Sequence, residues 1–352
     1  MRYPQDLQAN GTIGFPAPSF GCATEPYKSA FDNALIKWQE LGYRTLPGVN
    51  AYSSCGVGIS NTPEKCAAEL MEMYLSKNID CLISCGGGEL MCEILDYVDF
   101  EKLKEASPKW YLGYSDNTNF TYLLTTLCDV ATIYGPCAGT YGMEPWHESL
   151  TDTYELLTGK KRSVGSYALW EKESLKDAEK PSVPYNVTEP NILKLYYNGR
   201  MMDGTACTEE GIRLTMTGRL LGGCMDCLVN LLGTNYDKTA EFCEKYKDDG
   251  IIWFLEACDI NVFSTRRAMW QMEHAGWFQH VKGFMFGRPR NGEEMMGLDA
   301  YQAVLEVAGK YNVPVLMDLD IGHVAPMMPL VTGSIATVTM EGNTVEVQME
   351  YR

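Results

Sequence analysis

Trp110-Tyr-Leu-Gly-Tyr-Ser115-Asp-Asn-Thr-Asn-Phe-Thr-Tyr-Leu-Leu124 is where an apolar run of strand character ends on a serine and a run of helical character begins at once. A hydroxyl at that junction lies at the carboxyl edge of a sheet and beside the unpaired N–H groups of a helix start, which can stabilise an oxyanion. Ser-Asp-Asn-Thr is equally a good helix cap. The second glycine of the G-x-S-x-G elbow is missing, since Asn117 stands in its place. The rest of the chain has to decide between nucleophile and cap.

Working outward, residues 12–19 read as a strand running into a loop, and residues 27–41 as a helix with Phe31, Ala34, Leu35, Trp38 and Leu41 on one face before Gly42. Residues 43–46 resume as strand. Asn61-Thr-Pro-Glu then opens a second helix, with proline at its first position, that runs to residue 74. Strand 81–84, a glycine loop, a helix through Leu95 and strand 110–113 complete a βα series. Such repetition implies a parallel sheet flanked by helices, an α/β domain of flavodoxin- or Rossmann-like type over residues 1–165.

Residues 166–190 are polar, carry Pro181, Pro184 and Pro190, and read as linker and exposed loop. From residue 191 to 352 strands are expected at 192–197, 211–217, 251–255, 283–286 and 314–317, and helices at 264–275 and 298–310. A terminal hairpin turns at Glu341-Gly-Asn343. The C-terminal domain is therefore mixed α/β with antiparallel strands.

A length of 352 residues fits two domains of roughly 100–200 residues each. The net charge of −17 repels a phosphate backbone, so no nucleic acid is expected as partner. No apolar run approaches the about 18 residues of a membrane span, and the start lacks the basic-then-apolar pattern of an export signal. A cytoplasmic protein with no membrane contact is expected. The 13 cysteines are scattered through apolar runs and read as small hydrophobes in a reducing compartment. Cys224-Met-Asp-Cys227 is a lone CxxC with no second pair or spaced histidines, so no metal is expected.

A serine nucleophile needs a base and a group that orients the base. Of the 4 histidines, His147, His274 and His280 lie in settings that read as structural or solvated. His323 sits beyond an expected strand in Gly322-His-Val-Ala-Pro326, in the loop position where α/β proteins place reactive groups. Glu256, ending the apolar run 251–255, is the candidate orienting carboxylate, with Asp259 nearby as a competitor. Gly86-Gly-Gly88 lacks the spacing of a nucleotide-binding loop and could instead lend a backbone N–H to an oxyanion hole, beside that of Asp116.

Ile13-Gly-Phe-Pro-Ala-Pro-Ser19, Gly86-Gly-Gly with Leu95-Asp-Tyr-Val-Asp-Phe100, Gly113-Tyr-Ser-Asp-Asn-Thr118, Tyr134-Gly-Pro136, Leu220-Leu-Gly-Gly223 with Leu232-Gly-Thr234, Phe254-Leu-Glu256 and Gly322-His-Val-Ala-Pro326 occur in that order. Together they resemble the serine LD-carboxypeptidase family, which includes murein tetrapeptide carboxypeptidases and microcin C self-immunity peptidases. The resemblance implies Ser115 as nucleophile, His323 as base and then acid, Glu256 as its partner, and N–H groups of Gly87 or Gly88 and Asp116 as the oxyanion hole. It also implies no metal or cofactor, a smaller C-terminal domain and a homodimer.

The chain departs from that pattern at Cys224, in Gly222-Gly-Cys224-Met225, where the family reads Gly-Gly-Asn-Leu. It departs again at Ile260, where the microcin branch has a lysine. The insert with Trp170, Tyr185 and Asn186 resembles the tryptophan-bearing loop of that branch, and such an aromatic either clamps a flat ligand or packs the loop down. A carboxypeptidase must read a free carboxylate, for which Arg288 or Arg290 is the candidate, each otherwise a surface charge. The expected substrate is a murein-derived peptide with a C-terminal D-amino acid. A peptidyl- or aminoacyl-adenylate analogue is the alternative, and a catalytically dead peptide-binding module stands in a different class.

Overall fold

The computed structural model describes residues 1–55 and 57–352. The chain divides into two compact units, residues 1–161 with 173–186 and residues 162–172 with 187–352.

In the first unit the elements follow one another as β1 (Thr12–Phe15), α1 (Tyr27–Glu40), β2 (Arg44–Pro47), α2 (Pro63–Leu75), β3 (Cys81–Ile83), α3 (Phe100–Glu105), β4 (Trp110–Gly113), α4 (Thr118–Cys128), β5 (Thr132–Tyr134) and α5 (Glu148–Leu157). Strands β1 to β5 pair in the order β5-β4-β3-β1-β2, every pair parallel. This is the doubly wound order in which the succession reverses between β1 and β3, and such folds bind ligands beyond the carboxyl ends of their strands. Strands β1, β3, β4 and β5 are buried along their whole length, as strands covered on both faces must be, whereas β2 alternates between exposed and half-buried at the edge. Tyr111 and Phe120 meet edge to face at 4.7 Å, locking α4 onto β4. The helix expected through Leu95 is a 3-10 segment, Met91–Tyr97, a form favoured in short connectors.

The second unit begins with β6 (Ser163–Gly165), β7 (Leu169–Glu171), β8 (Val187–Pro190), β9 (Lys194–Tyr197), β10 (Arg200–Asp203), α6 (Gly204–Glu209), β11 (Arg213–Cys224), α7 (Met225–Leu231) and α8 (Thr239–Lys245). It continues with β12 (Ile251–Glu256), α9 (Val262–His274), β13 (Val281–Gly287), α10 (Ala300–Ala308), β14 (Val315–Leu319), β15 (Leu330–Thr332), β16 (Ile335–Glu341) and β17 (Thr344–Glu350). A 9-stranded mixed sheet runs β10-β9-β14-β13-β12-β11-β16-β17-β6, and β7 pairs with β8 in a separate hairpin. The unit is no smaller than the first, because residues 162–172 and 187–190 add β6, β7 and β8 to it.

Strand β11 runs on to Cys224, past the end that alternation alone suggests. From Arg213 to Arg219 it pairs antiparallel with β16 and alternates in exposure. From Arg219 to Cys224 it pairs parallel with β12 and is buried throughout. The period-2 signal vanishes where both faces are covered. Strands β11, β12, β13 and β14 form a parallel block whose carboxyl ends deliver Cys224, Glu256, Gly287 and Leu319 to one edge. Trp253 stacks on Trp277 at 5.7 Å beneath it. The hairpin loop is Gly342-Asn343, with Glu341 opposite Thr344. Among the described residues no helix is long and apolar enough to cross a membrane. The cysteines are free thiols, most of them buried.

Candidate active site

Ser115 follows β4 directly and takes φ 62°, a left-handed conformation that disfavours any residue with a side chain. The 3-10 turn Ser115–Asn117 then leads into α4. The strain is held in place by buried hydrogen bonds around it. The Ser115 N–H donates to the Tyr134 hydroxyl at 3.3 Å. Asn117 donates to the Gly86 carbonyl at 2.8 Å and accepts from the Tyr111 hydroxyl at 2.5 Å. The buried Asp116 carboxylate accepts from the Ser19 hydroxyl, from Met91 N–H at 2.8 Å and from Asn119 at 3.0 Å, which joins the loops after β1 and β3 to the start of α4. Burial raises the Asp116 pKa against the pull of those donors.

Gly87 lies against Ser115, since a Cβ added there would sit 3.2 Å from the serine Oγ. Any side chain at 87 would crowd the hydroxyl. The cradle is pinned by Phe20 N–H, which donates to the Gly87 carbonyl at 2.9 Å.

In the second unit His323 Nδ1 and Glu256 Oε2 are 2.8 Å apart, with the carboxylate fully buried and the imidazole 9% exposed. Burial by itself would lower the His323 pKa. The Glu256 carboxylate and a hydrogen bond that the imidazole donates to the Cys258 sulfur outweigh it and raise the pKa. Gly322 takes φ 95°, and a Cβ there would lie 2.4 Å from the Glu256 carboxylate oxygen, so only glycine lets the loop close on this acid. The competitor Asp259 points elsewhere: its side chain contacts Cys258, and its N–H bonds Asp226.

Asp226, between the two cysteines of the CxxC, accepts the N–H groups of Cys258 at 3.0 Å, Asp259 at 2.9 Å and Ile260 at 3.0 Å. It thereby shapes the turn that follows Glu256. The CxxC spacing draws attention to the two cysteines and gives no sign of the acid between them. Cys224 sits opposite Glu256 in the ladder, and its thiol donates to Asp226 at 3.5 Å. The Cys227 side chain, burial and the Glu256 charge together hold the Cys224 pKa well above its ordinary value. Cys224, Glu256 and His323 present ligand atoms within 4.8 Å of one another, the group that could hold a metal ion.

Arg288 is buried and donates to the Asp320 carboxylate at 2.7 Å. Asp320 also accepts from Tyr167 N–H at 2.9 Å and Asn191 at 3.0 Å, and burial raises its pKa against these partners. The Arg288 guanidinium lies 5.4 Å from the Trp170 ring, and its Nη2 is buried with no protein partner among the described residues. The structure thus brings Trp170 and Arg288 together. Arg290 is exposed and reaches Cys258 Sγ at 3.9 Å. Tyr185 and Asn186 belong to the first unit, where Tyr185 packs on His147 at 5.6 Å and Asn186 bonds the Glu173 carbonyl at 3.0 Å. A cavity of about 40 Å³, lined by Glu256, Gly287, Tyr301 and Asp318 among others, lies behind the triad carboxylate candidate.

The remaining histidines are structural. His147 Nδ1 caps α5 by accepting Ser149 N–H at 3.1 Å, His274 contacts the Trp270 carbonyl at 2.8 Å, and His280 pairs with Glu244 at 2.9 Å.

The description "LD-carboxypeptidase N-terminal domain" matches residues 13–135, and "LD-carboxypeptidase C-terminal domain" matches residues 217–338. The Microcin C7 self-immunity protein MccF of Escherichia coli is 25% identical over 362 residues, covering 98% of this chain and 95% of its own. Among solved structures, an MccF-like protein from Bacillus anthracis str. Ames superposes with a TM-score of 0.81 at 20% identity, covering 99% of this chain and 100% of that one. MccF in complex with aspartyl sulfamoyl adenosine does so with a TM-score of 0.79 at 22% identity, covering 99% and 98%.

Proposed function

The chain belongs to the LD-carboxypeptidase family, and we propose that it hydrolyses an amide bond as a serine peptidase with Ser115 as nucleophile, His323 as base and Glu256 as the group that orients it. His323 takes the serine proton as Oγ attacks the carbonyl and returns it to the leaving amine; water then repeats the cycle on the acyl-enzyme. N–H groups of Gly87 or Gly88 and of Asp116 stabilise the oxyanion. The observation that carries this reading is the buried 2.8 Å contact of His323 Nδ1 with Glu256, which selects one imidazole tautomer and leaves Nε2 to work as base.

The leading substrate is a murein-derived peptide ending in a D-amino acid. Its free carboxylate is read by Arg288, whose Nη2 is buried and held beside Trp170. A second reading has a specific observation in its favour. The likeness to MccF extends over 98% of the chain, and MccF is seen with aspartyl sulfamoyl adenosine, so an aminoacyl-adenylate analogue is the competing substrate. Ile260, where the resemblance expects lysine, weighs against it. A catalytically dead binding module remains the reading of another class, distinguished by binding without turnover.

The test is incubation of the pure protein with murein tetrapeptide and, separately, with a processed microcin-type adenylate, read by mass spectrometry. Ser115→Ala should lower kcat by about 10³- to 10⁶-fold with the fold intact. A variant rate near that of the wild type would end the proposal.

A further inference from the structure

We propose that Cys224, Glu256 and His323 form a binding site for a divalent cation of the zinc class, and that occupancy of this site switches the enzyme off. The donor set of one sulfur, one imidazole nitrogen and one carboxylate oxygen is that of tetrahedral zinc sites. The donor atoms lie within 4.8 Å of one another, against about 3.3–3.8 Å between ligands of a closed tetrahedral site. Side-chain adjustment of about 1 Å closes that gap.

The donors are held in place by the fold. Cys224 and Glu256 are register partners at the ends of neighbouring parallel strands, and His323 is fixed to Glu256 by the loop that Gly322 allows. An outer shell is present as well, because Asp226 bonds the Cys224 thiol and holds the turn bearing Cys258. None of this was visible in the CxxC spacing: the histidine partner of Cys224 comes from the far end of the chain rather than from a second cysteine pair. Where the resemblance expects an asparagine amide, Cys224 supplies the soft ligand, so the property belongs to this chain.

Coordination breaks the Cys224 S–H bond and displaces the proton shared between His323 and Glu256. Both protons pass to solvent, three metal–ligand bonds form, and nothing is oxidised or reduced. Metal binding stands on the geometry alone; its inhibitory consequence rests on the proposed role of His323 as base.

The test uses the full chain, reduced and freed of metal with a chelator, and titrated with Co²⁺ and Zn²⁺. One Co²⁺ per chain should bind with a thiolate-to-cobalt charge-transfer band. Cys224→Ser and Cys224→Asn should lose that band and bind Zn²⁺ at least about tenfold more weakly. Cys55→Ser, at an exposed thiol elsewhere, should bind as the wild type does. Zinc should suppress wild-type turnover about tenfold or more, reversibly with chelator, while each Cys224 variant is inhibited less than about twofold relative to its own metal-free rate. Absence of the band, or its survival in both Cys224 variants, overturns the site. Binding without inhibition overturns the switch. Ser115→Ala separates the two proposals: it should be inactive yet bind Co²⁺ as the wild type does, and an active Ser115→Ala that still shows the band sinks the hydrolase reading while leaving the metal site standing.

Discussion

Ser115 and His323 are held by different physical means. In the first unit the serine is set by backbone geometry: a left-handed residue at the end of a buried parallel strand, kept there by the neutral bonds of Asn117 and the buried carboxylate of Asp116. In the second unit the histidine is set by charge, through a buried contact with Glu256, and the turn after that acid is moulded by three N–H groups converging on Asp226. Strain in one unit and electrostatics in the other respond to different perturbations. Each can be broken without touching its counterpart.

On the proposed mechanism the largest effect after Ser115→Ala should come from Glu256→Gln, with kcat falling by up to about 10⁴-fold because the imidazole loses its tautomer preference. The sign of the pH response follows from the causes of the His323 shift. Removing the carboxylate leaves burial opposed only by Cys258, so the His323 pKa falls and the acid limb of kcat/KM moves to lower pH. In the wild type the raised pKa stabilises the fold fully below about pH 6.5, and this contribution is lost as pH rises through the folded-state value. Alkaline unfolding curves should therefore separate wild type from Glu256→Gln progressively less as pH rises. A pH–rate profile of Glu256→Gln displaced upward would contradict the assignment.

Gly322→Ala sharpens the same half. It forces a Cβ to within 2.4 Å of the Glu256 carboxylate at φ 95°, and should cost about 1–3 kcal/mol by chemical denaturation as well as activity. Asp226→Ala removes the acceptor of three backbone donors that are partly open to water; a loss of about 1–2 kcal/mol with a fall in kcat rather than a rise in KM is expected. The smallest effect concerns strain in the first unit. Both Ser115→Gly and Ser115→Ala are inactive on the proposed mechanism, but glycine tolerates φ 62° and should exceed alanine in stability by about 0.5–1 kcal/mol. Equal unfolding free energies would show that the turn stores no strain.

Much of the first unit could be read directly from the residues. Its strands are short apolar runs bounded by helices with clear starts, such as Pro63 and Glu64 at α2, and the parallel sheet follows from that alternation. The second unit was less legible for a stated reason: β11 changes partner at Arg219, and the buried half of the strand has no period to detect. The strands β7 and β8 lie in the stretch 166–190 that composition alone presents as loop, because pairs so short carry little alternation. Among the candidate residues, Ser115, Glu256 and His323 each end or follow an apolar strand, and those positions were legible one at a time. Asp226, Asp320 and Asn117 were not, since an acid or amide in a loop looks solvated until its donors are known.

The sequence by itself determined the strand and helix periods, the positions of the serine, the acid and the histidine after strands, and the absence of a charge suited to nucleic acid, because these depend on local patterning and composition. Only the tertiary structure decided which side chains meet: His323 with Glu256, Cys224 with both, Arg288 with Asp320 and Trp170. Those pairings join residues far apart in the chain through strand register and loop closure, and register is fixed by burial across the whole sheet rather than by any one segment.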